Sequence, residues 1–274
     1  MRPYRAMDSE RPIITLTTDF GMADGTVGAM IGVIKSICPA AEVINVASDV
    51  PAHDIVRGAW ALYQAAPFFP ARAIHVAVVD PGIGTDRRGL LVTTRHGAFV
   101  GPDNGVLSWV LRQTDGIVFR VLENPAFRLA ALGFTFDGRD LFAPAAAYLA
   151  SGVDPAEFGP VIDDPVVLPW PEPRRIDGAI EGEVLVVDQF GNLITNIPFD
   201  LAATEFGDAA LQVAVAGWPA GGIVRGYAGI EGSVGVVING AGLLEIAANG
   251  RSATAVTGLA RGARVTVTAG GSVR

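Results

Sequence analysis

The sequence predicts an α/β protein: an N-terminal doubly wound α/β domain followed by a small C-terminal β-barrel domain. Two observations carry this reading. Over the N-terminal half, apolar runs of strand length alternate with segments of helical spacing, as in parallel strands joined by crossover helices. After Gly159 the texture changes to short β-rich runs separated by glycines, with no long helix. The expected limits are residues 1–160 for the first domain, a linker rich in Pro and Asp at 161–178, and 179–274 for the barrel.

The elements follow in order. Residues 13–17 read as a buried strand that ends in Thr18-Asp19-Phe20-Gly21. Val27, Met30, Ile31 and Ile34 give helical spacing over 27–37, and Pro39 stops that helix. A short strand is expected at 42–46 and a helix at 54–66, with Asp54 in its first turn and Pro67 at its end. The apolar run 74–79 ends in Asp80, where Pro81, Gly82 and Gly84 hold the backbone open. This is how a parallel strand delivers a charged group to the C-terminal edge of its sheet. Residues 90–94 and 97–100 read as a hairpin around Arg95-His96-Gly97. Gly101-Pro102-Asp103-Asn104-Gly105 is a turn that opens a helix through Leu111, and Thr135 to Asp140 lead into a helix at 141–149. In the second domain, strands are expected at 180–187, 211–215, 233–238, 243–247 and 264–267.

Composition narrows the function. Half of the 274 residues are apolar and the net charge is -8, with no block of Lys or Arg. Nucleic acid and anionic membranes both require a basic footprint, so neither is an expected partner. A cationic small molecule suits this balance better. The single cysteine, Cys38, excludes an intrachain disulfide and reads as a small buried hydrophobe. The first residues are polar, without the apolar stretch of a leader, and no run has the length of a membrane span. The cytoplasm is the expected location.

Four loops of the first domain place Asp beside Gly: Asp19, Asp80, Asp103, and Asp137 with Asp140. Three readings compete. They are an oxygen-ligand metal site, recognition of a cationic or diol-bearing substrate, and ordinary turn chemistry. Asp103 reads as a helix cap or turn residue. Arg87 and Arg88 follow Asp80 closely, so either can fold back onto that carboxylate or form an exposed ion pair. Arg139 reads as a clamp for its own loop. His53, His75 and His96 fall in no zinc spacing, and neither a phosphate-binding Gly-rich loop nor a nucleophile elbow is present. In the second domain, Asp188-Gln189-Phe190-Gly191-Asn192 is a polar and aromatic turn ending a strand, and Tyr227 offers another flat face. Strand and turn alone explain these residues, although stacking also suits a nucleobase.

Five segments occur in a telling order: Thr18-Asp19-Phe20-Gly21, Asp80 to Arg88, Gly101 to Gly105, Thr135-Phe136-x-Gly138-Arg139-Asp140, and Phe190-Gly191-Asn192-x-x-Thr195-Asn196. In this respect the chain resembles the S-adenosyl-L-methionine hydroxide adenosyltransferases, relatives of the nucleophilic fluorinase and chlorinase. The resemblance covers nearly the whole sequence. It implies a homotrimer with sites at subunit interfaces. It also implies hydrolysis of S-adenosyl-L-methionine to adenosine and L-methionine, with no cofactor and no metal.

By that resemblance Asp80 orients or deprotonates the water and Arg87 stabilises its hydroxide form. Asp19 grips the ribose diol, and Thr135 and Gly138 lie on the substrate side of their motif. Phe190, Asn192 and Tyr227 hold adenine and ribose, and Asp188 contacts the methionine ammonium. The backbone around Asn249 reads the adenine edge. The halogenases carry an aromatic residue at the position of Asp80, so the carboxylate here favours the hydrolase branch. One position departs from the pattern: the hydrolases usually have His where this chain has Asp137. A second carboxylate beside one water can still supply a base. Alternatively, its charge disfavours hydroxide and leaves a nucleoside-binding protein with impaired chemistry.

Overall fold

The computed structural model describes residues 11–130, 133 and 135–270. The N-terminal stretch read for a leader lies almost wholly outside them. The chain divides between Pro169 and Trp170 into two units.

The first unit contains β1 (Ile13–Thr18), α1 (Thr26–Ile37), β2 (Glu42–Ala47), α2 (Ile55–Ala65), β3 (Ile74–Val78), β4 (Gly89–Thr94) and β5 (Gly97–Pro102). It continues with α3 (Ser108–Leu111), β6 (Val118–Val121), α4 (Ala143–Ala150) and β7 (Val161–Ile162). The strands form a seven-stranded sheet in the order β2-β1-β3-β5-β4-β6-β7. The first four of these are parallel, and β4, β6 and β7 are added antiparallel.

The apolar run at β3, interrupted only by the buried His75, is explained by burial on both faces. Val76 and Val78 join the core under α1 and α4, while Ala77 and Val79 join the one under α2 and α3. Burying side chains of this size contributes roughly 1.5–3 kcal/mol each, so the two-residue alternation fixes the register. Helices therefore cover both faces, as the doubly wound reading requires.

The chain runs from β1 through α1 to β2 on one side. It then returns through α2 to β3 on the other side of β1. This reversal makes the β1–β3 border the switch point of the sheet, where open α/β folds place ligands. Thr18 pairs with Val78, so Asp19 and Asp80 leave the same edge on neighbouring strands.

Two helices differ from the sequence reading. The helix expected after Gly105 shortens to α3, because the preceding turn is closed by Asn104: its Oδ1 accepts from Val106 N and its Nδ2 donates to Val79 O. Before α4 the chain makes one wide turn, Gly138–Phe142, in which Ala143 N–H reaches back five residues to Gly138 O. Wide turns of this kind are frequent at functional sites, and this one begins immediately after Asp137. The stretch expected as a linker carries strand at both of its ends. β7 pairs with β6, and β8 (Arg174–Ile176) pairs with β9 (Ala179–Val187).

The second unit continues with β10 (Leu193–Pro198), α5 (Phe199–Phe206), β11 (Leu211–Val215), β12 (Trp218–Gly221), β13 (Gly235–Ile238), β14 (Leu243–Ala247), α6 (Ala253–Thr257) and β15 (Arg264–Ala269). Antiparallel pairing in the order β12-β11-β15-β9-β10-β14-β13 winds around one apolar core. A bridge from Ile223 to Val236 nearly closes the barrel. Among the described residues no helix is long and apolar enough to cross a membrane.

Candidate active site

The loop after β3 is built to turn a side chain back on its own start. Gly84 takes a positive φ of 80°, and the Thr85 hydroxyl donates to Gly82 O at 2.6 Å. The same hydroxyl accepts from Arg87 N. Arg87 is thereby aimed at Asp80. Its Nε lies 2.9 Å from both carboxylate oxygens, and its Nη2 lies 2.5 Å from Oδ2. The same Nη2 donates to Asp137 Oδ2 at 2.5 Å. The guanidinium also sits over the Phe142 ring, 5.3 Å from its centroid.

The group is largely withdrawn from water: the side chains of Asp80, Arg87 and Asp137 are 4%, 10% and 23% exposed. Burial works against the Arg87 charge. Hydrogen bonds and charge attraction from Asp80, then from Asp137, outweigh it and raise the guanidinium pKa above its ordinary value. Formally, two carboxylates face one guanidinium, which leaves one negative charge in excess.

Asp19 stands at the end of the neighbouring strand, where its Oδ2 accepts from His53 N at 2.8 Å. His53 holds φ at 66°, an unfavourable conformation for a residue with a Cβ. Gly138 is buried where an added Cβ would crowd Phe20, Phe136 and Met30 at 3.0–3.2 Å. Thr135 is exposed.

The remaining acidic loops do not join this cluster. Asp103 lies in the turn, but its side chain neither caps a helix nor closes that turn. Its Oδ2 accepts from Arg88 and its Oδ1 from Val166 N, while Asn104 makes the turn. Arg88 thus serves Asp103 and Asp164, and only Arg87 folds back onto Asp80. Arg139 grips the adjacent Asp140 with two hydrogen bonds and stacks on Phe136, which is the clamp read from the sequence. Among the described residues no group of three or more His, Cys, Asp or Glu side chains is arranged to hold a metal ion.

In the second unit, Phe190, Asn192 and Tyr227 line one open pocket of about 630 Å³, together with Ala248, Gly250, Arg251 and Ser252. Asp188 shapes its rim. One oxygen accepts from Phe190 N and Asn192 N, and the other from Asn192 Nδ2 at 3.0 Å. Gly191 takes a φ of 81°, and a side chain there would run into Ser252. Asn249 is exposed in the turn bridged by Ala248 and Arg251, so the neighbours of Asn249, rather than its side chain, face the pocket.

Tyr227 donates its phenol proton to Glu245 Oε1 at 2.8 Å. Burial, then Glu245 and Asp188, push the phenol up to about 12, so it remains the donor at neutral pH. Burial pushes the Glu245 carboxyl up as well.

Several of these residues escaped the sequence reading. Glu245 is a lone charge in an otherwise apolar strand, which is a usable signal. Gly250, Arg251 and Ser252 follow the Asn249 turn already singled out and run into a helix cap at Ser252, which marks the pocket's second wall. Phe142 carried no signal, because it reads as core.

The N-terminal domain profile of the SAM hydroxide adenosyltransferase family matches residues 14–159, and its C-terminal domain profile matches residues 182–266. The chain belongs to this family. A Salinispora arenicola protein named (R)-S-adenosyl-L-methionine hydrolase is 41% identical, over 94% of this chain and 98% of its own length. A Thermus thermophilus protein of the same name is 36% identical, over 92% of this chain and 97% of its own. A crystal structure of an uncharacterized conserved protein from Thermotoga maritima superposes with a TM-score of 0.85. It is 33% identical and covers 93% of this chain and 99% of that one.

Proposed function

We propose that this chain hydrolyses S-adenosyl-L-methionine to adenosine and L-methionine, the activity named for its near-full-length relatives. The observation that carries the reading is the Asp80–Arg87–Asp137 group at the switch point of the first sheet. In the reaction a water oxygen attacks C5′ of the ribose. The C5′–S bond breaks, and its electron pair stays on sulfur as the neutral thioether of methionine. The water proton passes to Asp80 and then to solvent. The leaving group needs no proton, so no general acid is required, and catalysis consists of positioning and activating the water.

Arg87 offsets the negative charge that develops on the attacking oxygen. An anionic nucleophile meeting a sulfonium cancels charge, which favours a site shielded from water. A carboxylate at position 80 attracts water and repels halide, and this supports hydrolysis over halogenation. Asp19 is assigned to the ribose diol, with Thr135 and Gly138 beside the reacting carbon. Phe190, Asn192 and Tyr227 take adenine and ribose. The turn at Asn249 reads the adenine edge, and Asp188 holds the methionine ammonium.

The bond between Asp137 and Arg87 favours one rival reading, a nucleoside-binding protein whose chemistry is impaired. Incubation with S-adenosyl-L-methionine followed by chromatography separates the two. Equal release of adenosine and methionine, undiminished by chelator, supports the hydrolase. Tight binding without adenosine supports the rival. We further propose a homotrimer, which light scattering tests, and a cytoplasmic location, supported by the lone, buried Cys38.

A further inference from the structure

We infer that Glu245 is a positioning residue of the nucleoside pocket, holding the Tyr227 ring in place through its phenol and so setting nucleoside affinity rather than the rate of bond breaking. This rests on the reading that the pocket of the second unit takes adenosine.

Glu245 is 3% exposed in the middle of β14, whose other residues are all apolar. A carboxyl group buried there is costly unless it is hydrogen-bonded. Its strand is held on both sides, by pairing of Glu245 with Ile194 of β10 and with Val237 of β13. Tyr227 is placed differently. It belongs to a short turn, Tyr227–Gly229, outside the barrel strands, and is 49% exposed. Little packing fixes such a ring. The 2.8 Å bond to Glu245 Oε1 ties its far end to the barrel. A flat face held in advance binds a nucleobase without having to be ordered by it, and that gain appears in affinity.

The test compares wild type with Tyr227→Phe, Glu245→Met, their double mutant, and Glu245→Gln. Adenosine affinity is measured by calorimetry, and kcat and KM are measured with S-adenosyl-L-methionine. Tyr227→Phe and Glu245→Met are each expected to weaken adenosine binding and raise KM about five-fold, the value of one hydrogen bond. kcat should stay within about two-fold, because binding in the ground and transition states is affected alike. The double mutant should be no worse than either single one, and Glu245→Gln, which keeps an acceptor oxygen, should recover most of the affinity. Effects that multiply in the double mutant, or a fall in kcat at unchanged affinity, overturn the inference. If Glu245→Met does not fold, Tyr227→Phe and Glu245→Gln decide it alone. A wild-type protein that binds no adenosine overturns the underlying reading, and this inference with it.

Discussion

In the first unit the chemistry-bearing side chains are nearly withdrawn from solvent and hold one another, whereas in the second the aromatic faces stand open. Asp80 and Arg87 are 4% and 10% exposed and share three close contacts, while Phe190 and Tyr227 are 68% and 49% exposed. On the proposed reading, the difference follows from what each must do. Groups that meet developing charge have to be in place before reaction, since reorganising them would add to the barrier. Groups that stack on a nucleobase can wait in water, because the ligand completes their burial.

Breaking the first half should therefore damage rate, and breaking the second should damage affinity. The largest effect is expected from Asp80→Asn, which keeps the shape of the side chain but removes the proposed base. kcat should fall about 10³-fold with KM changing far less, as steady-state kinetics would read.

Next comes acid. Burial holds His75 at a pKa of about 4, down from 6.5, with Thr15 on its Nδ1 and Phe99 stacked on the ring. The unfolded chain takes up this proton near pH 6.5 and the folded chain only near 4. Stability is thus complete above about 6.5 and falls as the pH drops toward 4, by on the order of 3 kcal/mol. Hydrogen exchange at pH 7 and 4.5 should find the loss in β3 and not in β14, and His75→Gln should reduce it. Equal losses in both strands would remove His75 as the cause.

In the second unit, Gly191→Ala forces a side chain at positive φ against Ser252. It should weaken adenosine binding by about 2 kcal/mol, measured by calorimetry, while kcat at saturation holds.

The smallest change is Asp137→His. It removes the excess negative charge around Arg87 and should raise kcat about ten-fold. A fall instead would show that Asp137 has a role of its own in the reaction.

Much of this was legible in the sequence, for identifiable reasons. α1 and α2 show helical periodicity, β1 and β3 show as apolar runs, and Asp19 and Asp80 announce themselves as carboxylates at the ends of those strands. β10 was hidden because two of its six residues are buried polar ones. Thr195 donates to Leu244 O, and Asn196 accepts from Glu183 N and donates to Pro171 O. α5 has only two turns, too few for a helical period to stand out. Spacing alone did not say which arginine meets Asp80, although the family resemblance pointed to Arg87. The turn at Gly84 and Thr85 selects Arg87, while Asp103 and Asp164 draw Arg88 away.

Water carries the central claim, and isotope labelling reads it directly. Turnover of S-adenosyl-L-methionine in ¹⁸O-water should yield adenosine heavier by one ¹⁸O at the 5′ hydroxyl, and Asp80→Asn should suppress it. Unlabelled adenosine, a 5′-halogenated nucleoside in halide buffer, or intact substrate after prolonged incubation would contradict the assignment.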